Sequence, residues 1–158
     1  MKKIIVLFFS LLACCCISAQ NTFQKTFGAA LSETGACIQN TPDGNYIISG
    51  YATSFSAPFR DAYLLKVDAA GNLLWSKTYG GSSDEVCYYV SVCTDGGFIL
   101  TGGTNSFGSG QNDLYLIRTD SSGTLLWTTV VGGIYDDYGW FALQTSDTGF
   151  LASGFSAT

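Results

Sequence analysis

The sequence predicts an all-β chain built as a β-propeller of four-stranded antiparallel blades, present as an open arc of about two and a half blades. Two observations lead there. Asp61–Trp75 reads DAYLLKVDAAGNLLW and Asp113–Trp127 reads DLYLIRTDSSGTLLW, so Trp75 and Trp127 stand about 52 residues apart in one repeated phrase. Each copy also holds four runs rich in Val, Ile, Leu, Tyr, Phe, Trp and Thr, and no stretch after residue 20 has helical period. A four-stranded sheet that is apolar on both faces must stack on neighbours to bury them.

The register holds along the chain with no insertion. FQKTFG (23–28) aligns with WSKTYG (75–80) and WTTVVG (127–132), and PDGNYIISG (42–50) aligns with TDGGFILTG (94–102) and SDTGFLASG (146–154). The repeats are therefore 23–74, 75–126 and 127–158. In the second copy the strands are expected at Val86–Cys93, Gly97–Gly103, Asp113–Thr119 and Thr124–Val131. Alternation is clearest in the third, with Leu114, Leu116 and Arg118 on one face and Tyr115, Ile117 and Thr119 on the other. Thr94-Asp95-Gly96-Gly97 and Asp120-Ser121-Ser122-Gly123 are tight turns. There Asp bonds the backbone ahead of it and Gly supplies positive φ. Phe23, Trp75 and Trp127 are expected to pack between blades. Residues 22–28 match a fourth strand with no first three before it.

The chain opens on a targeting signal over residues 1–19. Lys2 and Lys3 precede an apolar run from Ile4 to Ile17 and then Ser18-Ala19-Gln20. The run is too short for a membrane span, and cleavage is expected after Ala19. Leu11-Leu12-Ala13-Cys14 also resembles a lipoprotein signal, which would anchor the chain through Cys14. Without the signal, Lys25, Arg60, Lys66, Lys77 and Arg118 face twelve carboxylates, a net charge of about −7. That balance excludes a nucleic acid partner, because a phosphate backbone needs a basic surface. Of the six cysteines, Cys37, Cys87 and Cys93 lie beyond the signal. An odd number argues for buried small apolar groups and against a disulfide framework.

WSKTYGGSSDE followed by TDGGFILTGGTNSFGSGQNDLYLIRTDSSGTLLW resembles the blade repeat of secreted Bacteroidota β-propeller proteins, many of which end in a type IX secretion sorting domain. Gly102-Gly103, Tyr115 and Trp127 are also similar to a kelch repeat. The resemblance covers about Thr22 to Thr158 and implies architecture more than activity. It implies a secreted or outer-surface location and reads the chain as an N-terminal fragment of a longer propeller. The first copy departs from the pattern, since Gly50 is followed by Tyr51. The arc should expose blade faces that the remaining blades or other copies would cover.

Chemistry is sparse. The chain has no histidine, which removes Ser-His-Asp and Cys-His catalysis and most zinc sites. If the tight hairpins share one end of the blades, the longer connections Gly80–Glu85, Gly132–Asp137, Asn105–Asn112 and Thr53–Arg60 share the other. That end carries Glu33, Asp84, Glu85, Asp136 and Asp137, with Asp61 and Asp113 at loop ends. The ligand-binding candidates are Asp84, Glu85, Tyr88, Asp136, Asp137 and Trp140. Tyr88 and Trp140 follow the acids at equivalent positions and are suited to stacking on a sugar ring; the acids suit polar groups or a calcium ion, and no other cofactor is expected. Against this, acids recurring at 33, 85 and 137 fit a role every blade needs, such as holding loop amides. The expected function is a non-catalytic binding, adhesion or structural module with a glycan or protein ligand. The alternative is part of a glycan-active hydrolase or lyase with its carboxylates on the longer-loop face.

Overall fold

A computed structural model describes residues 23–28, 32–53 and 58–157. The expected signal, its cleavage site after Ala19 and the lipid-anchor residue Cys14 lie outside the described residues. Ten strands follow one another without a helix among the described residues. They are β1 (Glu33–Asn40), β2 (Tyr46–Ala52), β3 (Asp61–Val67), β4 (Leu73–Tyr79), β5 (Glu85–Val92), β6 (Phe98–Thr104), β7 (Asp113–Thr119), β8 (Leu125–Val131), β9 (Asp137–Gln144) and β10 (Phe150–Ser156). All pairings are antiparallel, in sheets ordered β1-β2-β3-β4, β5-β6-β7-β8 and β10-β9. The chain is thus all-β and repeated, with β7 falling at the expected residues and the other strands of the second copy within one residue of theirs.

The one-residue differences have local causes. Cys93 was expected to end β5, but its carbonyl accepts from Gly96 N–H at 2.9 Å and its N–H bonds Gly97 O at 2.8 Å. It belongs to the hairpin turn instead, in which Gly96 takes φ 80°. Asp120 behaves as its turn predicts, accepting at Oδ1 from Ser122 N–H and Thr124 N–H, each at 2.8 Å. Asp68 does the same for Ala70 and Asn72. The recurrent aspartates therefore build turns.

The first two strands of each repeat carry a bulge at the same register position. The pairing shifts between Gly35 and Cys37, between Cys87 and Tyr89, and opposite Gly139 and Phe141. Gly50, Gly102 and Gly154 face these bulges, and a Cβ on any of them would collide with the carbonyl of Thr34, Val86 or Tyr138 respectively. The invariant spacing of these glycines in the repeat is thus a backbone close approach.

The sheets stack face to face, with β5 against β1, β2 and β3, and β9 against β5, β6 and β7. Between the first and second lie Ile47, Leu64, Tyr79, Val90, Phe98, Leu100, Tyr115 and Ile117. Between the second and third lie Cys93, Ile99, Leu116 and Ala142, with Leu114 beside them. The alternation read along 114–119 is therefore real: Tyr115 and Ile117 face one neighbour, Leu114 and Leu116 the other. Side chains such as Phe98 and Leu100, fully removed from water, each contribute about 1.5–3 kcal/mol of transfer free energy.

Aromatic residues at the repeat boundary link successive sheets. Trp75 packs on Phe98, ring centroids 6.1 Å apart, and against the turn at Gly123; Trp127 meets Phe150 edge-on at 5.3 Å. The hydroxyl of Tyr79 donates to Gly123 O at 2.6 Å from within this core. Residues 23–28 form no strand, yet Phe23 lies against the turn at Gly71 as Trp75 lies against Gly123. Phe27 packs on Tyr63, Leu65 and Val67 of the first sheet's far face. The segment takes the place, relative to the first sheet, that a preceding fourth strand would have. Cys37, Cys87 and Cys93 are all free; Cys87 is buried, and desolvation pushes its thiol up to about 12.

Candidate binding site

The loops after β2, β4, β6 and β8 gather at one end of the sheets, and their acids divide into two sets. Glu85 is completely buried. Its Oε2 accepts from Gly81 N–H at 2.6 Å, and its Oε1 from Thr104 Oγ1 at 2.7 Å and Ser106 N–H at 3.2 Å. Asp137 is buried and accepts from Gly133 N–H at 2.9 Å. Asp113, buried at its loop end, accepts from Ser109 N–H at 2.9 Å. A Cβ on Gly80 or Gly132 would collide with Asp61 or Asp113 and crowd Glu85 or Asp137, so glycine there makes room for the acids. Glu85 and Asp137, candidates for ligand contact from sequence, have their carboxylates turned to their own loops.

Asp84 and Asp136 tie one repeat to the next. Asp84 accepts from the Arg60 backbone N–H and from its guanidinium, both at 2.8 Å. Asp136 accepts from Asn112 N–H at 3.2 Å, the equivalent bond one repeat on. The neighbouring amides reinforce both joints, Glu85 N–H bonding Arg60 O and Asp137 N–H bonding Asn112 O, each at 2.7 Å. The Arg60 hydrogen bonds hold the Asp84 carboxyl below its ordinary range, and Asp84 raises Arg60 in turn. Both partners remain partly open to solvent.

Tyr88 of β5 and Trp140 of β9 come together. Their ring centroids are 5.0 Å apart, and Tyr138 joins them, 6.2 Å from Trp140 and nearly parallel to it and 6.5 Å from Tyr88. Trp140 keeps 44% of its surface in solvent. The Arg60 guanidinium stands over the ring of Tyr51 at 5.4 Å and lies near enough to Tyr88 and Tyr138 to favour their ionised forms. Burial outweighs that pull and raises both hydroxyls. The result is an aromatic platform bordered by the Arg60–Asp84 and Asn112–Asp136 pairs. Apolar ring faces beside fixed donors and acceptors suit a ligand with one apolar and one hydroxylated aspect.

Tyr138, Arg60, Tyr51 and Asn112 were not singled out by sequence. Tyr138 could have been, standing two residues before Trp140, but its contact with both other rings depends on the stacking of two sheets. Among the described residues, no group of three or more Asp, Glu, Cys or His side chains is placed to hold a metal ion. A concavity of about 570 Å³ lies elsewhere, between Leu114, Val131, Ile134, Tyr135 and Phe155. Asp137 contributes a carboxylate to its lining.

No protein-family model matches the chain. It is similar to the regulatory protein FlaEY of Caulobacter vibrioides, 27% identical over 138 residues. The match covers 73% of this chain and 14% of that protein, so the chain spans a small part of the relative's length.

Proposed function

We propose that the three sheets are successive blades of a β-propeller acting outside the cell as a non-catalytic recognition module, and that its ligand is a saccharide. The observation that carries the function is the platform of Tyr88, Tyr138 and Trp140, half open to solvent and edged by Arg60, Asp84, Asn112 and Asp136. A pyranose ring has an apolar face that stacks on such rings and equatorial hydroxyls that reach the bordering charges and amides. The propeller reading is supported by the 52-residue repeat of four strands and by face-to-face stacking through equivalent side chains. The N-terminal run of apolar residues supports export, and the mass of the mature N-terminus distinguishes cleavage after Ala19 from lipidation of Cys14.

The test is an array of neutral and acidic oligosaccharides probed with the wild type and with Trp140→Ala. Binding in the micromolar to millimolar range, lost about tenfold or more in the variant, is expected. No saccharide binding, or binding indifferent to Trp140, would reject the reading in favour of a protein ligand elsewhere on the surface. Hydrolysis of an array sugar would instead support the enzymatic alternative.

A further inference from the structure

We infer that the groove between β4 and β8, the outer strands of the first two sheets, binds an extended peptide segment with an acidic and an apolar residue two positions apart. The groove shares no residue with the aromatic platform, and the inference does not rest on the saccharide reading.

The groove follows from how the sheets stack. Both sheets have all four strands, and β5 lies against β1, β2 and β3. The outer strands keep a concavity of about 470 Å³ between them, a size usual for ligand sites. The rings of Tyr79 and Tyr115, both part of the core between the sheets, form its floor. Thr78 of β4 and Thr128 of β8 bring hydroxyls to its walls. Phe107, from the loop between β6 and β7, closes one end; it stacks on Tyr115 at 5.7 Å and keeps 41% of its surface in solvent. A Cβ on Gly81 would collide with Phe107 and Ser106, so glycine there lets the loop reach the groove. Leu125 of β8 also lines it and is 48% exposed.

Charge narrows the occupant. Lys77 of β4 is exposed along the groove. Among the described residues it makes no ion pair, whereas Arg60, Lys66 and Arg118 are each held by an aspartate. No carboxylate among the described residues lines the groove. Asp120, in the turn at its other end, has Oδ1 engaged by the amides of Ser122 and Thr124. In a chain of twelve acids and seven bases, Lys77 is thus an uncompensated cation beside an apolar floor, which favours an anion with an apolar neighbour.

A peptide supplies both and also suits the rims. β4 and β8 each pair on one side only, so backbone N–H and C=O groups on their outer sides are open to main-chain hydrogen bonds. In an extended segment, residues two apart point the same way about 7 Å apart. One then brings a carboxylate to Lys77 while the other lays its side chain on Phe107 and Leu125.

The test titrates the isotope-labelled chain with acetyl-Thr-Asp-Thr-Phe-Thr-amide, and with the same peptide carrying Asn for Asp, read as amide shifts by NMR. The acidic peptide should bind with a Kd of about 1 mM or tighter, shift amides of β4 and β8, and weaken as salt rises. Asn for Asp should cost about fivefold. Lys77→Gln should cost the acidic peptide the same factor and leave the Asn peptide unchanged. Phe107→Ala should weaken both peptides and Trp140→Ala neither, which tells a failure here from a failure of the platform. Lys77 is exposed, so its variant keeps the fold; if circular dichroism shows Phe107→Ala unfolded, a peptide with Ser for Phe makes the same test on the wild type. No binding, an Asp-to-Asn loss that persists in Lys77→Gln, shifts confined to other strands, or tighter binding of digalacturonate than of the peptide would each overturn the inference.

Discussion

At the scale of single residues, the repeat is held to its pattern by backbone geometry more than by chemistry. Gly102 faces the Val86 carbonyl so closely that a methyl group has nowhere to go. Gly102→Ala should therefore destabilise the fold by about 3 kcal/mol, read as a lowered midpoint in urea. Thr148 makes the converse case. It occupies the turn position that Gly44 and Gly96 hold in the other copies and takes φ 68°, where they take 78° and 80°. A β-branched residue in that region is strained, so Thr148→Gly should raise stability by about 1 kcal/mol in the same assay. These glycines were legible in sequence as turn and repeat markers. That Gly102 opposes a bulge was not, because a bulge depends on which residue of the partner strand goes unpaired.

Strands and turns are joined by ion pairs the repeat encodes without revealing. Asp43 bonds Lys66 Nζ at 2.7 Å, and Asp95 bonds Arg118 Nη2 at 2.7 and 2.6 Å, in both copies from the first turn to the third strand. Arg118 is buried, with Phe150 of the next sheet against its guanidinium at 5.8 Å. An acid at 43 and 95 and a base at 66 and 118 are visible in the sequence, but their meeting follows only from the antiparallel register of β2 with β3 and β6 with β7. The hydrogen bonds from Lys66 and Arg118 hold Asp43 and Asp95 below the ordinary carboxylate range. A depressed folded-state pKa adds stability above the unfolded value of about 3.9, and this is lost as pH falls through the folded value. Thermal stability should therefore decline below about pH 4. Asp95→Asn should lower Tm by about 5 °C at neutral pH and flatten the acid limb. An unchanged limb would show that the pair adds nothing to folding.

For the whole molecule, the row of sheets sets an order of stability. Both central strands of the second sheet, β6 and β7, are covered on both faces, whereas β8 and β10 are mostly open to water. The four-strand repeat made this arrangement readable from sequence: period, strand positions and facing sets all follow from alternation and turn chemistry. The aromatic platform was half readable. Tyr88 and Trp140 stood out as aromatics following the acids at equivalent positions, while Tyr138 and Arg60 reach them only through the stacking of separate sheets. The carboxylates of Glu85 and Asp137 accept hydrogen bonds from amides of their own loops. Hydrogen–deuterium exchange, read amide by amide, tests the stacked-sheet account most directly. Amides of β6 and β7 should exchange slowest, those of β2 and β3 next, and those of the two-stranded sheet β9–β10 faster than either. Protection of β9 and β10 equal to that of β6 and β7 would contradict it.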